Sequence, residues 1–292
     1  MIRSRVLMTG GTGFLGSRLL PMLLKDGCEV TLLKRSFSSM ERIKSIIGSI
    51  DTFDIDKIPF EQIFEKSAYD IILHCATNYG RRVPDSEGIL ETNLMLPVRL
   101  IELGAKNHVR CFVNTDTCLD KQASQYALSK HQFKDWLRLY AERISCVNIA
   151  LEYFYGPGDD DTKFVSSIIR KLIANEPSID LTLGEQRRDF IYIDDIVDAY
   201  KTILSDGLAS LKGYSGFEVG SGRQISIKDL VLLMARLVDN ESTSLRFGAL
   251  AYRPNEVMQS NVDIDALSKL GWECRVSLVD GLARTISFER DQ

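Results

Sequence analysis

The sequence predicts an α/β protein: a doubly wound parallel sheet followed by a smaller mixed α/β lobe. Three observations carry this reading. Short β-branched runs alternate with longer helical patterns through the first two-thirds of the chain, a glycine-rich turn joins the first run to the first helix, and the alternation weakens after about residue 151. The 292 residues suit one large domain with an appendage, or two domains. With 45% hydrophobic and 26% charged residues, the composition is that of a globular chain and excludes a disordered, collagen-like or coiled-coil protein.

The predicted strands are Arg5–Thr9, Glu29–Leu33, Asp70–Cys75, Val109–Asn114 and Ser145–Ala150. Between them lie helix patterns at about Phe14–Lys25, Glu91–Lys106 and Gln122–Glu142; Phe14, Leu15, Leu19, Leu20, Leu23 and Leu24 recur at helical spacing. Strands linked by helices run parallel through right-handed crossovers, with both faces of the sheet covered. Gly156-Pro157-Gly158 and three aspartates then read as a loop. Helix patterns follow near Lys163–Ala174, Ile193–Ser205 and Ile227–Leu237, with two more towards the C-terminus. The expected division is residues 1–152 for the sheet domain and 153–292 mainly for the lobe, with some later segments returning to the sheet.

Charge and cysteines narrow the function. A net charge of −4 argues against a general nucleic-acid or membrane-surface binder, though it leaves room for local basic pockets. No apolar run reaches bilayer-spanning length, and the N-terminal residues lack the apolar stretch of a signal peptide. The six cysteines form no C-x-x-C pair or zinc spacing, and Cys75, Cys111 and Cys146 sit in apolar runs. Reduced, buried thiols and a cytoplasmic location are expected. His74, His108 and His131 have no metal spacing, and Asp159-Asp160-Asp161 lacks the ligand pattern of a calcium loop, so no metal is expected. Phe133, Trp136, Leu137 and Tyr140 form a helical stripe suited to core packing or to a helix face shared with another subunit.

The chemistry starts at Thr9-Gly10-Gly11-Thr12-Gly13-Phe14-Leu15-Gly16, where Gly10, Gly13 and Gly16 repeat every three residues between strand and helix. In that context the motif reads as a Rossmann-type dinucleotide turn: the backbone can approach a pyrophosphate, and the helix N-terminus offers N–H groups and partial positive charge. An acid to bind a ribose 2′-hydroxyl is expected about 20 residues on. Lys34-Arg35-Ser36 stands there instead, which suits the 2′-phosphate of NADP; the alternative is a solvated strand end. Asp54-Ile55 is a candidate neighbour of the adenine.

Tyr126 and Lys130 sit four apart in a helical stretch and so share a face. An ammonium nearby lowers a phenol pKa, which would fit Tyr126 for proton transfer near neutral pH. With the glycine turn and later motifs, this pair resembles the extended short-chain dehydrogenase/reductase family of nucleotide-sugar enzymes, also described as NAD-dependent epimerases/dehydratases, over nearly the whole chain. The later motifs are Gln186-Arg187-Arg188-Asp189-Phe190-Ile191-Tyr192-Ile193-Asp194-Asp195, Arg253-Pro254-Asn255-Glu256, Glu218-Val219-Gly220-Ser221-Gly222 and Gly271-Trp272. The resemblance implies that Tyr126 is the general acid or base and that Lys130 binds the nicotinamide ribose. It implies that Thr115 or Thr117 holds the reacting oxygen, and that Arg188 and Arg253 bind the substrate diphosphate. It also places Phe14, Leu15, Cys75, Ala76 and Tyr153 against the cofactor, and Tyr79, Arg81 and Phe164 at the substrate. Homodimers are a further implication.

Within the family, Glu152 replaces a usual arginine and Phe154 a usual asparagine. The wording around Leu151–Phe164, Gln186–Asp195 and Arg253–Asp263 most resembles the CDP-paratose/CDP-abequose synthase group. That resemblance implies NADPH-dependent reduction of the C4 ketone of a CDP-linked 4-keto-deoxyhexose in O-antigen sugar synthesis. An epimerase with tightly bound NAD shares most of these motifs. A 4,6-dehydratase fits less well, because Thr117 stands where its motif has glutamate. A non-catalytic NADP-binding regulator would not need Tyr126 and Lys130.

Overall fold

The first strand, β1 (Arg5–Thr9), is buried at four of its five positions, as expected of a strand covered on both faces. It pairs in parallel with β2 (Glu29–Lys34) on one side and β4 (Ile71–His74) on the other. β3 (Asp51–Asp54) extends the β2 edge, while β5 (Cys111–Thr117) and β6 (Ser145–Leu151) extend the β4 side, all in parallel. The computed structural model describes residues 4–81, 85–207, 212–254 and 256–292. Helix α1 (Phe14–Lys25) follows β1, α2 (Phe60–Lys66) follows β3, and α3 (Ser86–Leu90) and α4 (Leu96–Lys106) follow β4. Helix α5 (Gln125–Tyr140) joins β5 to β6.

Beyond β6 come β7 (Tyr153–Tyr155), α6 (Phe164–Ile173), β8 (Ser178–Leu181), β9 (Arg187–Tyr192) and α7 (Ile193–Thr202). Then follow β10 (Tyr214–Val219), β11 (Gln224–Ser226), α8 (Ile227–Val238), β12 (Ser244–Phe247), α9 (Asp265–Ser268) and α10 (Leu278–Arg290). The large sheet has the order β10-β6-β5-β4-β1-β2-β3; β11-β9-β7 and β12-β8 form two small sheets. The fold is therefore the α/β, Rossmann-type doubly wound sheet that the sequence predicts, together with smaller mixed elements. The chain reverses its direction of winding at β1 and β4, the point where open α/β sheets bind ligands at the carboxyl ends of their strands.

Two compact units can be distinguished. One comprises Met1–Leu151, Val197–Glu218 and Asp265–Trp272; the other comprises Glu152–Ile196, Val219–Ile264 and Glu273–Gln292. In the first, Ile72 and Phe112 from the sheet are buried in one cluster with Ile63, Leu100, Phe133 and Leu137 from α2, α4 and α5. In the second, Ser226 and Ser277 cap α8 and α10 by accepting hydrogen bonds from the backbone N–H of Asp229 and Asp280. Each serine also donates to the aspartate three residues on, at 2.6 Å. Among the described residues no helix is long and apolar enough to cross a membrane.

Four elements differ from the sequence expectation. β5 runs on to Thr117, because Thr115, Asp116 and Thr117 are buried although polar. β3 and α2 carry too little pattern to be seen: β3 is an edge strand of sequence Asp-Thr-Phe-Asp, and α2 has seven residues. The expected helix Glu91–Lys106 is a π-helix over Glu91–Met95 followed by α4. Pro97 lacks the N–H that would bond the carbonyl four residues back, at Asn93, and the widened turn relieves that mismatch.

The π-turn buries Asn93 completely. Its side-chain oxygen accepts from Asn78 N–H at 2.8 Å, and its amide donates to Asn78 O at 2.9 Å and to Ser129 Oγ at 3.0 Å. Ser129 Oγ in turn donates to Tyr126 O at 2.8 Å. One side chain thus joins the loop after β4 to the start of α5. Asn93→Ala strands buried partners and should lower unfolding free energy by about 1–3 kcal/mol. The shift should appear in the denaturant midpoint at unchanged slope; an unmoved midpoint contradicts the assignment.

Candidate active site

The glycine turn lies at the carboxyl ends of β1 and β4. Gly10 has φ of +72°, and a Cβ there would fall 2.5 Å from Ala76 N and 2.7 Å from Cys75 O. A Cβ on Gly16 would fall 2.2 Å from Gly10 O. These two glycines are therefore fixed by close packing. Gly13 differs: a Cβ there would meet only Gly10 O, at 3.3 Å, and Gly13 is the N-cap of α1 with no side chain capping the helix. Open backbone at a helix N-terminus, with Phe14 and Leu15 as its first residues, fits the pyrophosphate of a dinucleotide. Cys75 and Ala76 border the same turn, where Cys75 N donates to Thr9 O at 3.2 Å and Ala76 N to Thr9 Oγ1 at 3.2 Å.

At the end of β2 the expected basic pair is already engaged. Lys34 is ion-paired with Asp54, which Lys57 also approaches at 3.3 Å, and the Lys34 bond holds the Asp54 carboxyl below the usual range. The Arg35 guanidinium lies 4.8 Å from the centre of the Phe37 ring. Ser36 donates both its N–H and its hydroxyl to Asp56, at 2.8 and 2.6 Å. Ile55 N donates to Lys34 O at 2.8 Å and so continues the strand register.

Tyr126 and Lys130 lie on the first two turns of α5, whose N-cap Ser124 accepts from Ala127 N–H at 3.1 Å. Lys130 is 1% exposed and its Nζ donates to Thr115 O at 2.8 Å. Burial lowers its pKa to about 8, against the pull of Asp116 and Cys75. Tyr126 does not acquire the lowered pKa expected from its lysine neighbour. Burial, then Tyr79, raises it well above the ordinary phenol value, with the Thr117 hydrogen bond and Arg81 opposing. The phenol therefore keeps its proton at neutral pH.

The two threonines separate. Thr117 shares a side-chain hydrogen bond with Tyr126. Thr115 Oγ1 is 2.6 Å from Tyr200 Oη and donates to Cys75 Sγ at 3.2 Å, a buried chain reaching α7. Asp116 between them accepts from Asn148 Nδ2 and from Thr117 N, each at 2.8 Å. Tyr79 packs its ring 4.8 Å from that of Tyr126, and Arg81 lies 4.6 Å over Tyr79. Both loop candidates thus stand beside the Tyr126 phenol.

In the second unit Arg188 is buried on β9. It is ion-paired with Glu256, donates to Arg187 O at 2.8 Å and lies 5.9 Å from the Tyr153 ring. The structure thus joins Tyr153 to the arginine site, and its ring packs 5.6 Å from Phe190. Arg253 is exposed, and its carbonyl accepts from Glu256 N at 3.1 Å. Asn255 of the same motif lies outside the described residues. Phe164 is the first residue of α6. The Gly220-Ser221-Gly222 turn is held by buried Asp189, which accepts from Ser221 N at 2.8 Å and Gly222 N at 2.7 Å.

Sequence reasoning missed Asn93, Tyr200 and Asp56, and gave Glu256 no role. For Asn93 a signal existed: a lone asparagine in an apolar helical stripe, four residues before a proline.

The doubly wound sheet, with a glycine turn where its winding reverses, is the fold of the short-chain dehydrogenase/reductase type. The chain belongs to the NAD-dependent epimerase/dehydratase family, whose pattern matches residues 6–215. It is similar to the CDP-abequose synthase of Salmonella muenchen, 34% identical over 300 residues with 99% of each chain covered. It is also similar to the UDP-glucose 4-epimerase of Mycolicibacterium smegmatis, 29% identical with 99% of each chain covered. The solved UDP-glucose 4-epimerase of Thermotoga maritima shares the fold with a TM-score of 0.85 at 22% identity, covering 98% of this chain and 99% of that one. The Thermus thermophilus UDP-glucose 4-epimerase, solved in complex with NAD, gives 0.83 at 23% identity, with 98% and 99% covered.

Lys130 sets a pH test of the geometry. Below about pH 8 it is protonated in the folded and unfolded chain alike, so the cost of burying the charge is fully present. Between that value and about 10.4, the unfolded lysine value, only the unfolded chain binds the proton, and stability rises with pH. The stability of the wild type relative to Lys130→Met should therefore increase from pH 8 to 10, measured by denaturant unfolding. A difference that stays flat contradicts a buried, perturbed lysine.

Proposed function

We propose that the chain is an NADPH-dependent reductase of the C4 ketone of a nucleotide-linked, CDP-type 4-keto-deoxyhexose, acting in the cytoplasm in deoxysugar and O-antigen synthesis. The observation that carries the reading is the hydroxyl pair of Thr117 and the protonated Tyr126, with Thr117 standing where an elimination enzyme of the family would carry a glutamate. Similarity to CDP-abequose synthases over nearly the full length supports the substrate class.

The reduced nicotinamide, when bound, supplies the hydride for C4. Gly13 and the N-terminus of α1 would hold its pyrophosphate, and Lys130 its ribose. Thr117 donates a hydrogen bond to the ketone oxygen and stabilises the negative charge that develops there. Tyr126 gives its proton to that oxygen. Tyr79 and Arg81 flank the sugar. Arg188 and Arg253 bind the diphosphate; a guanidinium stays charged and can grip two oxygens at once. Exposed Leu128, Trp136 and Leu139 on α5 suit a homodimer contact.

A second reading is an epimerase that retains NAD. The engagement of Lys34 by Asp54 and the similarity to UDP-glucose 4-epimerase favour it. The two part in one assay. NADPH mixed with a panel of nucleotide-4-keto sugars should lose nicotinamide absorbance in proportion to product; cycling without net consumption contradicts the reductase.

Tyr126→Phe should lower turnover by about 10²–10⁴-fold while cofactor binding survives, as titration of nicotinamide fluorescence would show. Thr117→Val should lower turnover by about 10²-fold, whereas Thr115→Val should act mainly through stability. The reverse order would move the oxygen-binding role to Thr115.

A further inference from the structure

The structure assigns to Asp56 a role in cofactor selectivity: its carboxylate occupies the donor pair that an adenosine 2′-phosphate would use, and so holds back NADPH without opposing NADH. This rests on the reading of Lys34-Arg35-Ser36 as the 2′-phosphate site.

The geometry follows from strand register. β2 pairs with β3 so that Lys34 stands opposite Asp54, and Ile55 N continues the ladder by donating to Lys34 O. Two residues further along each chain, Ser36 meets Asp56. Both donors of Ser36 are spent there: the N–H on Oδ1 at 2.8 Å and the hydroxyl on Oδ2 at 2.6 Å. Two donors on two oxygens of one anion is the grip that a backbone N–H and a serine give a phosphate. The bonds also hold the Asp56 carboxyl below its usual range, as expected of an acceptor bound in its charged form.

The neighbours strengthen the effect. Lys34, which would otherwise answer a dianion, is bound to Asp54. Arg35 is exposed over Phe37 and remains as a cationic contact. A 2′-phosphate arriving here meets two carboxylates, Asp54 and Asp56, and can take the Ser36 donors only when Asp56 turns out. Asp56 is exposed, so it can turn out into water. A ribose 2′-hydroxyl is neutral and makes no such demand. The selectivity thus lies in a removable charge next to a preformed donor pair.

The test is equilibrium binding of four probes, NADPH, NADH, adenosine 2′,5′-bisphosphate and adenosine 5′-monophosphate, to the full chain and to Asp56→Asn and Asp56→Ala. Removing one negative charge close to a dianion in water should tighten NADPH and the bisphosphate by about tenfold. NADH and the monophosphate should bind as before. Unfolding midpoints equal to wild type show that the variants fold.

Failure of the bisphosphate to tighten in either variant overturns the proposal. Weaker NADH and monophosphate binding also overturns it, since Asp56 would then be a ribose ligand. If the wild type prefers NADH but the variants gain bisphosphate affinity, Asp56 has the assigned role and the NADPH preference proposed above fails alone. If the wild type binds neither dinucleotide, both readings fall.

Discussion

The arrangement of the site depends on one buried hydrogen bond, from the Lys130 ammonium to the carbonyl of Thr115. A charged amine has little reason to leave water unless it is paired or bonded. Here it is 1% exposed, bonded to a strand end and within the field of Asp116. That bond fixes α5 against the end of β5. One helical turn earlier Tyr126 stands beside Thr117, while the Thr115 hydroxyl bonds Tyr200 and Cys75. The polar run Thr115-Asp116-Thr117 is buried because Asn148, Tyr200 and Tyr126 satisfy it, each from a different element. Asn93 performs the same service for the loop bearing Tyr79.

A chain with net charge −4 shows no wide basic excess in its composition, so the anion sites proposed for it are local. Three of the proposed anion-binding groups are engaged by acids of the chain itself: Lys34 by Asp54, Ser36 by Asp56 and Arg188 by Glu256. An anion that binds at these positions would have to out-compete those acids. This makes selectivity depend on differences between anions, not on attraction alone.

Much of the sheet was legible because a buried parallel strand is an apolar run, and β1 begins and ends where the sequence placed it. The glycine turn was legible because packing leaves no alternative at Gly10 and Gly16. β3 was not, since an edge strand needs no apolar face, and the π-turn at Asn93 was not, because helical periodicity continues across it. At the site, the i and i+4 spacing of Tyr126 and Lys130 could be read directly. The choice between Thr115 and Thr117 could not, since residues two apart share one face of a regular strand and periodicity does not separate them, and nothing in the residue pattern marks β5 as continuing so far. The direction of the Tyr126 pKa was misjudged because burial outweighs the effect of a lysine whose ammonium is bonded elsewhere.

The central claim is that Tyr126 and Thr117 serve a net hydride delivery to C4. The most direct measurement is a single turnover with NADPH deuterated at the transferred position and a CDP-4-keto-3,6-dideoxyhexose, with the product read by NMR. The expected result is deuterium on C4 with one equivalent of oxidised cofactor released. Deuterium at another carbon, or label retained on the cofactor after turnover, would contradict it.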